Sequence, residues 1–488
     1  MFEYSMKMLK KTYHILLSLM TAALLLPSLT ACNAVVDGEE VERVENVNYI
    51  NLTLYVSSGE TVTRAPNGGE DGDGREAGSE RENLVGGITL ILYKGSGIDD
   101  PAAKVDFVRY FTVTEANLEG RDPQGTTYDY KASETYRSEA RYTTGDQKLT
   151  TGELDLQGTY HVLIVANQDV SSSCPKGTLI STVRDLKLNN VHASYTPGNP
   201  VTAQQFVMTT ERDATINFAM MAPVQKAGVQ NGLVYRVMQP MLIERMSARI
   251  DYNTKGSSYD TEKEGYIYPV GSTADKFVVT KVTPFNLYNE DEYLFKRVQD
   301  AWPATATTYL GDETLTNYVA DPKTATKDNT STMPSYLSPI AADMSTSAYV
   351  QTMSTVSTDA KFNDANGNQN IIIAYPKENT LMPTSQLKKY ATGLAFSIDY
   401  YTGGTGTPEH GTYYYYLRHQ GESTGSYKAQ QWADLVDTDD ASAKPMNFGI
   451  VRNNIYRVSI EGMSEDAKLK LNIKVKKWDI FEHETIYM

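Results

Sequence analysis

The chain has 488 residues, with 45 Lys and Arg against 60 Asp and Glu, a net charge of −15, and two cysteines. This length suits two to four domains, and 40% apolar content with 34 tyrosines argues against disorder throughout. The acidity argues against nucleic acid as a partner, because phosphate contacts need a basic footprint, and two cysteines allow at most one disulfide.

Lys7, Lys10 and Lys11 precede an apolar run at 15–26 that leads to Leu29-Thr30-Ala31-Cys32. A basic region, a short apolar region and small residues in that order form a secretory signal peptide. The run is short for a bilayer span, which needs about 20 apolar residues. Leu-Thr-Ala-Cys is similar to a bacterial lipobox, which implies removal of residues 1–31 and acylation (palmitate) of Cys32; an ordinary signal peptide with an incidental cysteine fits the same residues. Cys174 is then left without a partner and is expected to be a buried or half-buried thiol with no chemical role. Residues 37–40, Asp-Gly-Glu-Glu, read as a solvated tether.

Strand signals dominate the rest. Residues 49–56 alternate, with Ile50, Leu52, Leu54 and Val56 on one face and Tyr49, Asn51, Thr53 and Tyr55 on the other. Apolar runs at 88–93 and 160–166 predict buried strands, and 206–208 and 216–218 predict shorter ones. Further strands are expected at 246–252, 277–282, 371–375, 394–401, 412–417 and 455–460. The last is a second alternator, Leu469, Leu471, Ile473 and Val475 against Lys470, Asn472, Lys474 and Lys476. Helical candidates are few and short, 179–188 and 430–436. Two stretches read as loops: 65–82, rich in Gly and acids without a bulky apolar residue, and 304–347, rich in Thr, Ser, Asp and Asn. The fold class is mainly β, with two sandwich-like domains and a boundary near Val237: an N-terminal domain over 65–237 and a C-terminal one over 238–488.

No enzyme chemistry stands out. The histidines (His14, His161, His192, His410, His419 and His483) form no H-E-x-x-H arrangement, and no P-loop, G-x-S-x-G or G-x-G-x-x-G occurs. His161 lies in an apolar strand and is expected to be a core residue. Residues 71–74 and 364–368 resemble the start of a calcium loop but lack its later ligands. No metal, cofactor or catalytic residue is expected. Tyr413, Tyr414, Tyr415 and Tyr416 could suggest an aromatic platform, but strand geometry sends alternate rings to opposite faces, so core packing with one solvated face is the expectation.

The order of elements near the start carries the most information. The amphipathic strand 49–56 is followed by Thr63-Arg64-Ala65 and then by the Gly-rich acidic stretch. An Arg in an exposed segment suits a trypsin-like protease, and cutting there would separate residues 32–64, the tether and first strand, from the rest. Losing a strand with four apolar side chains would expose a groove and two unpaired edges, which a complementary strand could fill. A permanent first strand followed by a long loop fits the same residues, and both readings remain open at this point.

With these features the chain resembles the lipoprotein-derived type V fimbrial subunits of Bacteroidales. The resemblance rests on the Cys32 lipobox, Thr63-Arg64-Ala65, Ile-Thr-Leu-Ile-Leu-Tyr at 88–93, Val-Leu-Ile-Val-Ala-Asn at 162–167 and Phe206-Val207-Met208-Thr209. It continues with Ile243-Glu244-Arg245-Met246-Ser247-Ala248-Arg249, Val451-Arg452-Asn453-Asn454-Ile455-Tyr456 and Lys476-Lys477-Trp478. The closing pattern resembles the minor-fimbrium shaft branch.

The resemblance implies two transthyretin-like β-sandwiches and export as an outer-membrane lipoprotein. It also implies cleavage at Arg64-Ala65, with Arg75 and Arg81 as lesser alternatives, by a trypsin-like maturation protease. The strand bearing Ile50, Leu52, Leu54 and Val56 would leave. A donor strand at about 479–488 of a neighbouring subunit, bearing Ile480, Ile486 and Met488, would replace it, although Glu482 and Glu484 interrupt its apolar face. The implied role is a shaft subunit of surface fimbriae in adhesion, biofilm formation and colonisation, with other subunits, anchor and tip proteins as partners. The competing readings are a tip or accessory adhesin and a non-polymerising glycan-binding surface lipoprotein.

Overall fold

The computed structural model describes residues 46–56, 75–115, 140–237, 243–299, 307–309, 318–327, 333–338, 346–380, 390–417, 448–463 and 469–479, apart from 79, 98–99, 194, 201–204, 212–213 and 365. In chain order the main elements of the first half are β1 (Val47–Val56), β2 (Arg75–Ala77), α1 (Glu80–Asn83), β3 (Gly87–Lys94) and β4 (Lys104–Thr112). Then come β5 (Ala140–Thr143), β6 (Gln147–Lys148), β7 (Thr159–Ala166), α2 (Ile180–Arg184), β8 (Met208–Thr210) and β9 (Gly232–Val237). The second half supplies β10 (Arg249–Asn253), β11 (Lys276–Phe285), β12 (Gln369–Ala374), β13 (Gly393–Tyr401), β14 (Glu409–Tyr416), β15 (Asn454–Met463) and β16 (Leu469–Asp479). The fold is mainly β.

Two pairs of sheets carry the architecture. One sheet of the first pair contains β9, β1 and β5 in that order, and its partner runs β8, β7, β3, β4. They share a core in which Ile50, Leu52, Tyr235 and Val237 from the first sheet meet Ile88, Leu90, Phe107, Val162 and Ile164 from the second. β3 and β7 are buried on both faces, because Ile91, Tyr93, Leu163 and Val165 point instead into a second cluster with Cys174, Ile180 and Val183. Double burial is why these two strands read as unbroken apolar runs rather than alternators. The second pair comprises β2, β16, β15, β10 and β12 on one side and β11, β13 and β14 on the other. Ile250, Tyr252, Ile371 and Val458 face Phe277, Val279, Phe396 and Tyr415 across the core between them.

Several elements depart from their sequence signals. The stretch 65–82, expected to be a loop, supplies β2 and α1, and Glu82 is only 1% exposed. Its lack of apolar residues is made good by partners distant in sequence, main chain for β2 and arginines for Glu82. In the stretch 304–347, Thr307–Tyr309 and Tyr318–Val319 pair with Arg297–Gln299, and Val319, Thr324 and Lys327 are buried. The helix expected at 179–188 is limited to α2, since Lys187–Leu188 pair instead with Glu292–Tyr293. The candidate helix 430–436 lies outside the described residues. The tyrosine quartet splits between two cores: Tyr415 with Tyr413 against one, Tyr414 with Tyr416 against the other. Both faces of β14 are thus packed, and no solvated aromatic face forms there.

Candidate functional site

β1 lies inside its sheet rather than at an edge. On one side it runs parallel to β9, from Val47 opposite Gly232 to Leu52 opposite Val237. On the other it meets β6 at Tyr49 and Ile50 and β5 from Thr53 to Val56, both antiparallel. Residues 144–146 interrupt that second edge, with Gly145 at φ 63°, a left-handed conformation that glycine adopts without strain. One main-chain bond and two side-chain bonds span the break. Thr144 Oγ1 accepts from Leu52 N at 3.1 Å, Thr144 N donates to Leu52 O at 3.1 Å, and Asn51 Nδ2 donates to Asp146 Oδ1 at 2.9 Å.

Ile50 and Leu52 are buried, at 0% and 2% exposure, which at full burial is worth about 1.5–3 kcal/mol each. On the polar face Lys226 Nζ sits 4.8 Å from the Tyr49 ring centroid and 2.6 Å from Asp146 Oδ2. Burial alone would raise the Asp146 carboxyl, but hydrogen bonds from Lys226 and Asn51 outweigh it and hold it below the usual range. Leu54 and Val56 continue the strand opposite Tyr142 and Ala140. Removing β1 would therefore open a slot between β9 and β5–β6, with unpaired main chain on both walls and an apolar floor.

The chain after the expected cut is held elsewhere. β2 pairs in parallel with the end of β16, Arg75 opposite Lys477 and Ala77 opposite Asp479. α1 then delivers Glu82 into a buried ionic cluster. Its carboxylate accepts from Tyr375 Oη at 2.5 Å and lies 3.3 and 3.4 Å from Arg249 Nη1. Arg249 forks onto Asp251 with two 3.0 Å bonds, and Arg457 adds a third bond to that carboxylate at 2.8 Å. Arg245 Nε donates to the Glu82 carbonyl at 3.1 Å, and its Nη2 donates to Asn83 Oδ1. Of the candidate cut sites, Arg75 has its main chain in a sheet and Arg81 lies in α1.

Of the residues singled out from sequence, Ile50, Leu52, Leu54 and Val56 fall on β1, while Cys32, Arg64, Ala65, Ile480, Ile486 and Met488 lie outside the described residues. Cys174 is buried and donates to the Val170 carbonyl at 3.2 Å; burial pushes its thiol up to about 11. His161 stacks on Tyr93 with centroids 5.2 Å apart. In the 364–368 turn, the Asp364 carboxylate accepts hydrogen bonds from Asn366 N, Asn368 N, Asn368 Nδ2 and Asn253 Nδ2. Those N–H donors occupy the oxygens a cation would need. Among the described residues, no group of three or more His, Cys, Asp or Glu is placed to hold a metal ion. Sequence reasoning missed Glu82, Arg249 and Asp251; charges at inward positions of a strand motif, as in Arg249-Ile250-Asp251, were the available signal.

No family model and no curated protein matches the chain. Among solved structures it is similar to the tip fimbrial protein Mfa3 from Porphyromonas gingivalis, at TM-score 0.36 and 10% identity over 88% of this chain and 100% of that one. A fimbrial assembly protein from Parabacteroides distasonis gives TM-score 0.36 and 11% identity, covering 88% and 99%. A fimbrilin from Porphyromonas gingivalis gives TM-score 0.35 and 15% identity, covering 90% and 99%.

Proposed function

We propose that the protein is a structural, non-enzymatic subunit of surface fimbriae that polymerises by strand exchange. It is exported as a lipoprotein through Cys32, reaches the outer membrane and is cut between Arg64 and Ala65 by a trypsin-like protease. β1 then leaves its slot, and the C-terminal tail of the next subunit, bearing Ile480, Ile486 and Met488, enters it. Head-to-tail contacts of this kind do not close on themselves and so build a filament, with anchor and tip proteins as its ends.

The observation that carries this reading is the position of β1. It is a ten-residue strand inside its sheet, with Ile50 and Leu52 in the core, and residues 57–74, which include Arg64, join it to β2. Its loss therefore creates a specific acceptor rather than a trimmed edge. The pairing of Arg75 and the placement of Arg81 in α1 favour Arg64, since a protease needs extended, unpaired backbone.

The test is N-terminal sequencing of protein sheared from the cell surface, together with Arg64→Ala in the producing bacterium. A start at Ala65, and loss of filaments in the variant, are expected. Filaments of normal length from Arg64→Ala, or sheared protein that keeps an acylated Cys32, would overturn the reading.

A further inference from the structure

Lys327 is fully buried, and its Nζ lies among three acceptors. These are Asp321 Oδ2 at 2.6 Å, Asn379 Oδ1 at 2.8 Å and the carbonyl of Thr380. With a carbonyl bond of about 1.2 Å, the Asn379 carboxamide carbon sits within about 4 Å of the amine. Asn379 is also fully buried, and it is held on every side. Its main chain exchanges hydrogen bonds with Ile450 at 3.0 and 2.9 Å, and its Nδ2 faces the carbonyls of Asn286 and Tyr390 at 3.1 and 2.9 Å and Thr392 Oγ1 at 3.0 Å. Those acceptors orient the amide so that its oxygen faces Lys327. Asp321 is 3% exposed and is fixed in turn by Thr380 N at 2.8 Å and Lys323 N at 2.8 Å. Val319 and Ala320, which precede Asp321, pack with Val298 and Val451 and keep the neighbourhood apolar.

An amine, a carboxamide and a carboxyl group within hydrogen-bond reach in a dry site have the parts for amide exchange. We propose that Lys327 and Asn379 become joined by a side-chain amide bond, with Asp321 carrying protons between them. Lys327 Nζ passes a proton to Asp321, and its lone pair adds to Cγ of Asn379. Nδ2 faces Asn286, Tyr390 and Thr392 in the resting site, so the tetrahedral adduct turns it toward Asp321, which hands it that proton; the Cγ–Nδ2 bond breaks, and ammonia leaves. A second Nζ proton then returns to Asp321. The products are a secondary amide, ammonia and a neutral carboxyl, with no change of oxidation state. The first step is assisted by the site itself: burial lowers the Lys327 ammonium below its ordinary value, against the opposing pull of Asp321. Low dielectric also favours a neutral amine and acid over a separated ion pair. The bond would close a loop from 327 to 379 and fasten the 318–327 stretch to the segment that bridges Asn379 to Ile450. A covalent link resists extension where an ion pair does not.

The same geometry suits a permanent ion pair, since an ammonium donates three bonds and finds three acceptors. Mass spectrometry of the full chain after protease digestion separates the two. The expected result is a branched fragment containing both Lys327 and Asn379, lighter than its parts by one ammonia, and absent from Lys327→Arg and Asp321→Asn. Separate, unmodified fragments from the wild-type protein would overturn the proposal whether or not the variants fold. A linked fragment lighter by one water would place the bond on Asp321 and overturn the assignment to Asn379.

Discussion

Tyr375 donates its hydroxyl hydrogen bond to Glu82 Oε1 at 2.5 Å, across 293 positions of sequence. It closes a cluster in which two carboxylates, Glu82 and Asp251, face two guanidiniums, Arg249 and Arg457. The Phe362 ring lies 5.0 and 5.5 Å from the two guanidinium carbons. Charges buried this deeply are tolerated because each is paired and hydrogen-bonded. In functional terms, the segment that follows the proposed cut is fastened independently of β1, so losing the strand need not release α1.

Glu82→Ala is expected to lower stability by about 3 kcal/mol, because Arg249 keeps only Asp251 while Arg457 competes for the same carboxylate. Tyr375→Phe removes one hydrogen bond and should cost about 1–2 kcal/mol. Urea titrations of the uncleaved protein check both. Limited trypsin digestion should also show faster cutting after Arg81 in Glu82→Ala, since α1 loses its side-chain tie to Arg249 and Tyr375 and keeps the bonds from Arg245.

His192 should make the protein acid-sensitive. Its ring sits 4.4 Å from the Tyr195 centroid, 5.4 Å from Phe206 and 6.3 Å from Tyr375, and both ring nitrogens are buried, a cost that outweighs the backbone groups of His192 and Tyr375 that favour the charged ring. Burial lowers its pKa from 6.5 to about 4. Between those values the unfolded chain binds the proton and the folded one does not, so stability falls as pH drops from 6.5 and the loss is complete below about 4. The full loss is about 3 kcal/mol. His192→Phe should abolish that share of the pH dependence. Urea midpoints of both proteins at pH 7, 5 and 4 would show a gap widening toward acid; a constant gap would mean the imidazole already titrates normally.

Glu292 titrates in the opposite sense. Arg452 forks onto Glu378 with bonds of 2.9 and 2.9 Å and reaches Glu292 Oε1 only at 3.4 Å, so one guanidinium serves two buried carboxyls. Burial pushes Glu292 well above the ordinary carboxyl range despite Arg452. A raised folded pKa stabilises below the unfolded value, near 4.3, and that contribution is lost as pH rises. Glu292→Gln, which mimics the protonated form, should therefore match the wild type near pH 4 and exceed it at pH 7. The gain is about 1.4 kcal/mol per pH unit between the unfolded and folded values. Thermal unfolding across that range checks that the two proteins coincide near pH 4 and part as pH rises.

How far the sequence led depended on whether the controlling interaction was local. The alternation of β1 and the doubly buried runs of β3 and β7 are periodic signals, and Ile50, Leu52, Ile88 and Val162 sit in the core as their patterns require. The tyrosine quartet divides by the same two-residue period, although the second face found a core instead of water. Glu82 was illegible because a carboxylate in a glycine-rich acidic stretch looks solvated until Arg249, 167 positions away, is seen beside it. Lys327 was hidden in the same way inside a stretch whose composition reads as a surface excursion. Pairings of this kind leave no local period, and composition points the wrong way.

The fate of β1 can be separated from its contribution to the unprocessed fold. Ile50→Ala with Leu52→Ala removes two side chains from a closely packed core. Each such truncation costs about 2–5 kcal/mol, and being close in the same core they need not add. In the uncleaved protein the double variant should therefore unfold at markedly lower temperature than the wild type. If β1 leaves on maturation, the same substitutions are absent from the assembled filament, and filaments sheared from variant and wild-type cells should melt alike. If β1 is a permanent strand, the deficit follows the protein into every form. Comparing the melting of uncleaved and sheared material from both strains gives four values, and only a deficit confined to the uncleaved pair is compatible with strand exchange.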